Sequence, residues 1–158
     1  MVLSDSMKLL VSLIFILFSF NSVQSQDRFE NLDVFELQYA RDPQISPDGN
    51  YILYVRTQMD IMKDGRSSSI WILNADGSNH QKLTSSTRNE SNPRWSPDSK
   101  KISFISSSDD DNGSEIFIYW VDSKQYSSIS QLSGSPRSIK WSRNGKYLGF
   151  SMFVPEKT

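Results

Sequence analysis

The sequence contains no cysteine and a single histidine, His80, among its 158 residues. Without cysteine the chain has neither a disulfide framework nor a thiolate metal site, and no residue to carry the lipid of a bacterial lipoprotein. The net charge of −1 and the absence of a basic patch argue against nucleic acid as a partner. We therefore expect a neutral domain with no bound metal and no cofactor.

The sequence also lacks an apolar run long enough for a comfortable membrane span, which needs about 20 residues. The run that is present, Leu9 to Phe20, follows Lys8 and ends near the small residues Val23 and Ser25. This order is typical of a secretory signal peptide. We predict a signal peptide over residues 1–25, no stable membrane span, and a periplasmic or secreted protein; an uncleaved anchor is the alternative.

A segment of ten residues occurs in three versions: ISPDGNYILY, WSPDSKKISF and WSRNGKYLGF. Aligning the copies places Ser46, Ser96 and Ser142 in register, and later apolar runs, SIWILN and EIFIYW, also match. Each unit contains four apolar runs separated by turn residues. A repeat of this length and content predicts four-stranded antiparallel blades of a β-propeller.

Turn chemistry explains the start of each repeat. In SPDG the serine bonds the local backbone, Pro47 sets the backbone angle of the second turn position, and Gly49 accepts a positive φ. The second copy has Ser99 where glycine is expected. The strand that follows the first turn, YILYVR, is apolar on both faces, which predicts that neighbouring sheets cover both.

The predicted fold is all-β, a partial WD40-like propeller of about two and a half blades. Residues 26–42 are expected to form a lead-in, as a short helix or an extended segment. We predict a first blade at residues 43–84, a second at residues 85–133 and an incomplete third at residues 134–158.

Seven aromatic residues fall mostly at equivalent positions of the repeat, and this equivalence predicts core packing rather than a sugar- or peptide-binding surface. Trp120 fits least well, because its counterpart in the first repeat is Asn74. The seven are Trp71, Trp95, Trp120, Trp141, Phe104, Phe117 and Phe150.

Polar candidates have simple interpretations. His80 lies in the polar turn NADGSNHQ and is predicted to be a solvated loop residue. The acidic run Asp109–Asp111 could hold calcium with Glu115, but it lacks the spacing of an EF-hand loop, which favours a solvated loop tip. Asn89 and Asn112 fit the N-glycosylation pattern on predicted loops.

The segment DVFELQYARDPQISPDGNYILYVR, followed by SIWILNADGSNHQKLT and NPRWSPDSKKISFIS, resembles the N-terminal propeller of the prolyl oligopeptidase family (S9) of serine peptidases. Within that family the chain looks most like exported dipeptidyl-peptidases and acylaminoacyl-peptidases. The resemblance covers nearly all of the chain after the predicted signal peptide.

The resemblance implies a longer parent in which the propeller limits access of peptide substrates to a C-terminal α/β-hydrolase domain of the same polypeptide, which carries a Ser-Asp-His triad. No Gly-x-Ser-x-Gly string occurs here, so we assign no catalytic residue to this chain and expect a truncated piece that is inactive by itself. Dipeptidyl-peptidases of the family bind a substrate amino terminus through propeller glutamates. Glu90 and Glu115 are predicted in loops and do not match that motif.

Two alternatives remain from the sequence. A short SPDG repeat is also typical of the TolB-like propellers, which bind protein partners in the periplasm and are not enzymes. A small closed sandwich is the other alternative, although the half-finished third repeat argues against it.

Overall fold

The structure is a computed structural model that describes residues 33–107, 113–132 and 134–154. Within each sheet, strands that follow one another in the sequence pair as antiparallel neighbours. The strands are β1 Gln38–Ile45, β2 Tyr51–Asp60, β3 Gly65–Asn74, β4 Gln81–Lys82, β5 Asn89–Trp95, β6 Lys101–Ser107, β7 Ser114–Trp120, β8 Gln125–Ser128, β9 Arg137–Trp141 and β10 Leu148–Ser151, with 3-10 helices at Asp33–Phe35 and Ile61–Lys63.

The strands form two four-stranded sheets in the order β1-β2-β3-β4 and β5-β6-β7-β8, and a two-stranded sheet of β9 and β10. The central pair of the first sheet is in register from Tyr51 opposite Asn74 to Asp60 opposite Gly65. These sheets are the predicted blades, so the all-β, partial-propeller fold is confirmed. We call them blade 1, blade 2 and blade 3.

The lead-in combines both expected conformations, since a 3-10 helix at Asp33–Phe35 is followed by an extended segment. β1 begins at Gln38 rather than near Pro43, because the strand continues past a bulge to pair with the far half of β2, up to Gln58. The predicted signal peptide lies outside the described residues.

The same hydrogen-bond pattern closes the first turn of each blade. In blade 1, Ser46 N–H donates to the Tyr51 carbonyl at 2.9 Å, Tyr51 N–H donates to Ser46 Oγ at 2.9 Å, and Ser46 Oγ donates to Asp48 Oδ1 at 2.6 Å. The hydrogen bond from Ser46 holds the pKa of Asp48 below its usual value. The second and third turns repeat the pattern through Ser96 with Asp98 and Ser142 with Asn144.

The main core lies between blade 1 and blade 2. Leu53, Val55 and Ile70, on one face of blade 1, are fully buried against Ile102 and Phe104 of blade 2. The opposite face of blade 2 uses Ile105 and Ile116 to pack against Ile139 of blade 3. Blade 2 is therefore covered on both faces, as its apolar strands require.

Candidate functional site: first strands, blade seam and outer face

The first strands of the three blades share a backbone distortion. Asp42, Asn92 and Ser138, each four residues before the turn serine, have φ of 51°, 56° and 53°. The ladders shift register at these places, between Arg41 and Gln44 in β1 for example. Bulges of this kind bend a strand and re-aim its side chains. The repeat therefore produces the same bend in every blade, at the edge where the blades converge.

The bent first strands are joined to each other by polar contacts. Arg94 Nη1 of β5 lies 2.8 Å from Asp42 Oδ2 of β1 and also donates to the Pro93 carbonyl at 2.6 Å. Trp141 Nε1 of β9 donates to the Arg94 carbonyl at 3.1 Å. One residue of blade 2, Arg94, thus connects the first strands of all three blades.

Glu90 forms a buried polar contact across the seam between blade 1 and blade 2. Its side chain is 0% exposed, its Oε2 accepts the Ile70 N–H at 3.0 Å, and Thr84 Oγ1 donates to its Oε1. Burial raises the pKa of the Glu90 carboxyl above its usual value, although the bonds from Thr84 and Ile70 act in the opposite direction. β4 pairs with β3 at Trp71 and Ile72, and the Glu90 carboxylate takes the place of a strand as the acceptor for the Ile70 N–H.

In blade 2 the equivalent N–H has an acceptor within its own blade instead of a carboxylate from the next one. Ile116 occupies the position of Ile70, and its N–H donates to Ser130 Oγ at 2.8 Å. Glu90 is therefore particular to the first seam. The sequence prediction that Glu90 and Glu115 lie in loops was wrong, because β5 begins at Asn89, ahead of Pro93, and Glu115 lies in β7, where it pairs with Arg88 at 3.0 Å.

The face of blade 1 that points away from blade 2 carries three aromatic rings. Tyr54 and Trp71 are directly opposed in β2 and β3, and His80 packs on Trp71 with ring centroids 5.0 Å apart. The Tyr54 hydroxyl lies 2.7 Å from His80 Nε2, and the Arg56 guanidinium lies 4.7 Å from the Trp71 ring centroid. We call Tyr54, Trp71 and His80 the outer triad. His80 is exposed in a loop, as predicted, but it is part of this aromatic cluster rather than a free loop residue.

The outer triad has an exact positional counterpart in blade 2. Phe104 and Phe117 are directly opposed in β6 and β7, with ring centroids 5.5 Å apart, and Tyr126 of β8 packs on both. This second set packs against the core of blade 1. The outer triad therefore lies on the kind of face that another blade covers, and it bears polar groups where blade 2 has two phenylalanines.

A shallow cleft of about 310 Å³ lies beside the outer triad, between the start of β1 and the middle of β2. Gln38, Tyr39, Arg56 and His80 contribute to its lining. The Arg56 guanidinium donates to the Gln38 side-chain oxygen. The cleft is open to solvent, and its lining includes Tyr54 and His80 of the outer triad.

The predicted aromatic core is confirmed in part. Trp95 and Phe104 are buried, Trp71, Phe117 and Trp141 are half-buried, and Trp120 and Phe150 are 36% and 41% exposed. For Phe150 the prediction of a core role was wrong, because the described part of its sheet has two strands. Trp120 is the last residue of β7, and its exposure agrees with its poor fit to the repeat.

Of the other polar candidates, Asn89 lies among the described residues, and the acidic run and Asn112 do not. Asn89 was predicted in a loop, but it starts β5, where its Oδ1 accepts the Ser68 N–H at 2.9 Å. The run Asp109–Asp111 and Asn112 lie outside the described residues. Among the residues that are described, no three acidic or histidine side chains come together as in a metal site. None of the helices described there is long and apolar enough to cross a membrane.

Sequence comparison finds relatives among peptidases. The uncharacterized peptidase YuxL of Bacillus subtilis is 27% identical over 114 residues, which are 72% of this chain and 17% of that protein. Dipeptidyl-peptidase 5 of Porphyromonas endodontalis is 23% identical over 107 residues, 68% of this chain and 15% of that protein. No protein-family model matches the sequence. The chain thus spans about a sixth of the length of these relatives.

Similar solved structures are propellers. The β-propeller domain of the trilobed protease from Pyrococcus furiosus aligns with a TM-score of 0.60 at 24% identity, over 73% of this chain and 34% of that one. Uncomplexed Pyrococcus horikoshii acylaminoacyl peptidase aligns with a TM-score of 0.60 at 26% identity, over 73% and 17%. The resemblance to the propeller portion of S9 peptidases is therefore confirmed over about 72% of the chain.

Proposed function

We propose that this chain is the amino-terminal propeller portion of an exported serine peptidase of the prolyl oligopeptidase family, and that the whole protein hydrolyses peptides. The observation that carries the proposal is the similarity to peptidases such as YuxL, which extends over 72% of the chain and includes the repeated blades. Because the chain spans 17% of that relative, catalysis belongs to a longer polypeptide with an α/β-hydrolase domain. The blades themselves shape the access of substrate to that domain.

The arrangement of the blades supports a ring. Each seam is built from one face of a blade and the opposite face of the next, and the first strands converge through Arg94. The outer triad is the counterpart of Phe104, Phe117 and Tyr126, which blade 1 covers. We infer that a later blade of the longer polypeptide covers the outer triad and completes the ring.

Export follows from the sequence pattern at residues 1–25 and belongs to the proposal. A periplasmic or extracellular peptidase with a propeller admits peptides and excludes folded proteins, since the ring leaves a narrow opening. The substrate class would thus be short peptides, and the partner of this propeller would be the hydrolase domain of the same polypeptide.

The experiment that tests the proposal is to sequence the source DNA beyond the Thr158 codon, and to express the complete reading frame. We expect further blades, then a Gly-x-Ser-x-Gly elbow and later Asp and His codons. The complete protein should cleave acyl-aminoacyl or dipeptidyl chromogenic substrates and react with a fluorophosphonate probe, and a variant with alanine in place of the elbow serine should do neither. A reading frame with blades and no hydrolase domain would refute the proposal.

That second outcome would favour a binding propeller. A putative TolB from Agrobacterium tumefaciens aligns with a TM-score of 0.54 at 23% identity, which is a likeness of fold. In that case the complete protein should be inert to the fluorophosphonate probe and should bind a protein partner. The sequence similarity to peptidases favours the first candidate.

A further inference from the structure

A second cleft lies between blade 1 and blade 2, apart from the outer triad and the first strands. Its volume is about 290 Å³, and it opens near the turns that connect β3 with β4 and β7 with β8. Apolar side chains of Ile72, Leu73 and Val121 form part of its lining. The polar and aromatic part of the lining includes Tyr51, Asn79, Gln81, Tyr119 and Lys124.

Tyr119 is the first indication of a ligand. The residue is 7% exposed, its ring belongs to the core between the blades, and it lines the cleft. Its hydroxyl has no hydrogen-bond partner among the described residues and is not one of the fully buried unpaired atoms there, so it reaches the solvent of the cleft. A hydroxyl in this position is available to donate to water or to a ligand that enters the cleft. Burial also raises the pKa of the Tyr119 phenol, so the hydroxyl keeps its proton and is a donor.

The charge of the lining is the second indication. Lys124 is the one charged side chain among the described residues that line the cleft, and the amides of Asn79 and Gln81 add further donors. The turn that carries Lys124 is fixed by its backbone N–H, which donates to the Trp120 carbonyl at 2.9 Å. The carboxylate of Asp76, in the turn between β3 and β4, accepts a hydrogen bond within that turn from the Ser78 hydroxyl at 2.7 Å.

An ammonium group, a protonated phenol and two amides beside an apolar wall suit an anion with two acceptor oxygens and an apolar body. We propose that this cleft binds a small carboxylate with a short apolar substituent. The ammonium and the phenol contact the carboxylate, and the apolar substituent packs on Ile72 and Val121. A free organic acid and the C-terminal residue of a peptide share this chemistry. The inference stands on the cleft alone and does not depend on the proposed peptidase function.

The test is an NMR titration of the complete 158-residue chain, labelled with ¹⁵N, with N-acetyl-L-leucine and, as the matched neutral probe, N-acetyl-L-leucinamide. We expect saturable shifts at Asn79, Gln81, Tyr119 and Lys124 with the acid and none with the amide. Tripeptides ending in leucine, with a free or an amidated C-terminus, distinguish the sources. Tighter binding of the free tripeptide than of the acetylated amino acid would identify a peptide end, and weaker binding a small acid.

Two variants separate binding from folding. Tyr119→Phe removes one oxygen and Lys124→Gln removes one charge, and each should weaken binding of N-acetyl-L-leucine about fivefold or more, since a lost hydrogen bond amounts to about 1 kcal/mol. Lys146→Gln, in the turn of blade 3, is the control and should bind as the unchanged protein does. Equal binding of acid and amide, no saturable shift with either, or unchanged affinity in a Tyr119→Phe variant that keeps its native spectrum would overturn the proposal.

Discussion

The backbone N–H of Asp48 donates to Ser99 Oγ at 3.1 Å, which connects the first turn of blade 1 to the first turn of blade 2. Ser99 stands where the other two turns have Gly49 and Gly145, and it adopts the same left-handed conformation, with φ of 59°. A residue with a Cβ is strained there by about 1–2 kcal/mol. The hydroxyl is therefore a physical reason for serine at this position, because glycine would lose the connection between the turns.

Substitution of Ser99 separates strain from hydrogen bonding. Ser99→Ala keeps the strain and loses the bond to Asp48, so we expect the free energy of unfolding to fall by about 1 kcal/mol. Ser99→Gly loses the same bond but relieves the strain, and its stability should lie above that of Ser99→Ala. Urea denaturation followed by tryptophan fluorescence measures both. If Ser99→Ala proved as stable as the unchanged protein, the hydroxyl would not be the reason for serine.

Substitution of Glu90 tests the hydrogen bond across the seam between blade 1 and blade 2. Glu90→Ala leaves the buried Ile70 N–H without a partner, which costs about 1–3 kcal/mol in addition to the cavity. Glu90→Gln keeps an acceptor for Ile70 and should cost far less. Chemical denaturation of the two variants at one pH gives the comparison, and equal losses would show that the Ile70 hydrogen bond is unimportant.

The pH dependence of stability follows from the same residue. Because burial raises the pKa of Glu90 in the folded chain above the ordinary 4.5, the folded state holds the proton more tightly than the unfolded state. The contribution of Glu90 to stability is thus complete below pH 4.5 and is lost as the pH rises through the folded pKa. We expect the stability of the unchanged protein to decline relative to Glu90→Gln over that interval, as measured by denaturation at a series of pH values. Parallel pH profiles would contradict the assignment.

Asp48, in the first turn of blade 1, makes stability depend on pH in the opposite direction to Glu90. The hydrogen bond from Ser46 holds the pKa of Asp48 below the ordinary 3.8, so its contribution is present above that value and is lost as the pH falls through the folded pKa. Asp48→Asn should remove this loss below about pH 4, because Asn144 already fills the equivalent place in the third turn. Acid denaturation monitored by circular dichroism tests this, and an unchanged acid limb would show that Asp48 contributes nothing to it.

The two aromatic sets differ in what covers them, and this predicts different costs of truncation. Phe104 is 1% exposed between the blades, so Phe104→Ala should reduce the free energy of unfolding by about 3–5 kcal/mol. Trp71→Ala, on the outer face, removes a larger side chain but should cost less than about 1.5 kcal/mol in this chain. In the complete propeller the cost of Trp71→Ala should rise toward that of Phe104→Ala. Similar costs for Trp71→Ala in both forms would mean that no blade covers the outer triad.

Asp42 tests the connection between the first strands. The Asp42–Arg94 pair is about 30% exposed on each side, which limits its contribution to below about 1 kcal/mol. Asp42→Asn should therefore be mild and should approach the stability of the unchanged protein at high salt, because salt screens the charge pair. Asp42→Ala should cost more, since alanine tolerates the left-handed bulge less well than asparagine. Urea midpoints at two salt concentrations separate the two effects.

The sequence predicted the blades well because their information is local. A turn of SPDG type followed by paired apolar runs specifies a hairpin by itself, and the repetition of that unit showed that the sheets must cover one another. Ser46, Ser96 and Ser142 were aligned correctly, and the structure gives them the same hydrogen bonds. The peptidase resemblance also came from this repeated segment and its lead-in.

The sequence alone determined the four-stranded blade, its turn and its order, because these depend on residues within a few positions of each other. The tertiary structure decided what each polar residue does. Glu90 and His80 resemble loop residues in the sequence, yet one fills the seam between the blades and the other joins the outer triad. The position of Tyr119 in the cleft between the blades arises in the same way. Their partners lie on other strands or in the next blade, and such contacts between distant residues exist only once the sheets have stacked.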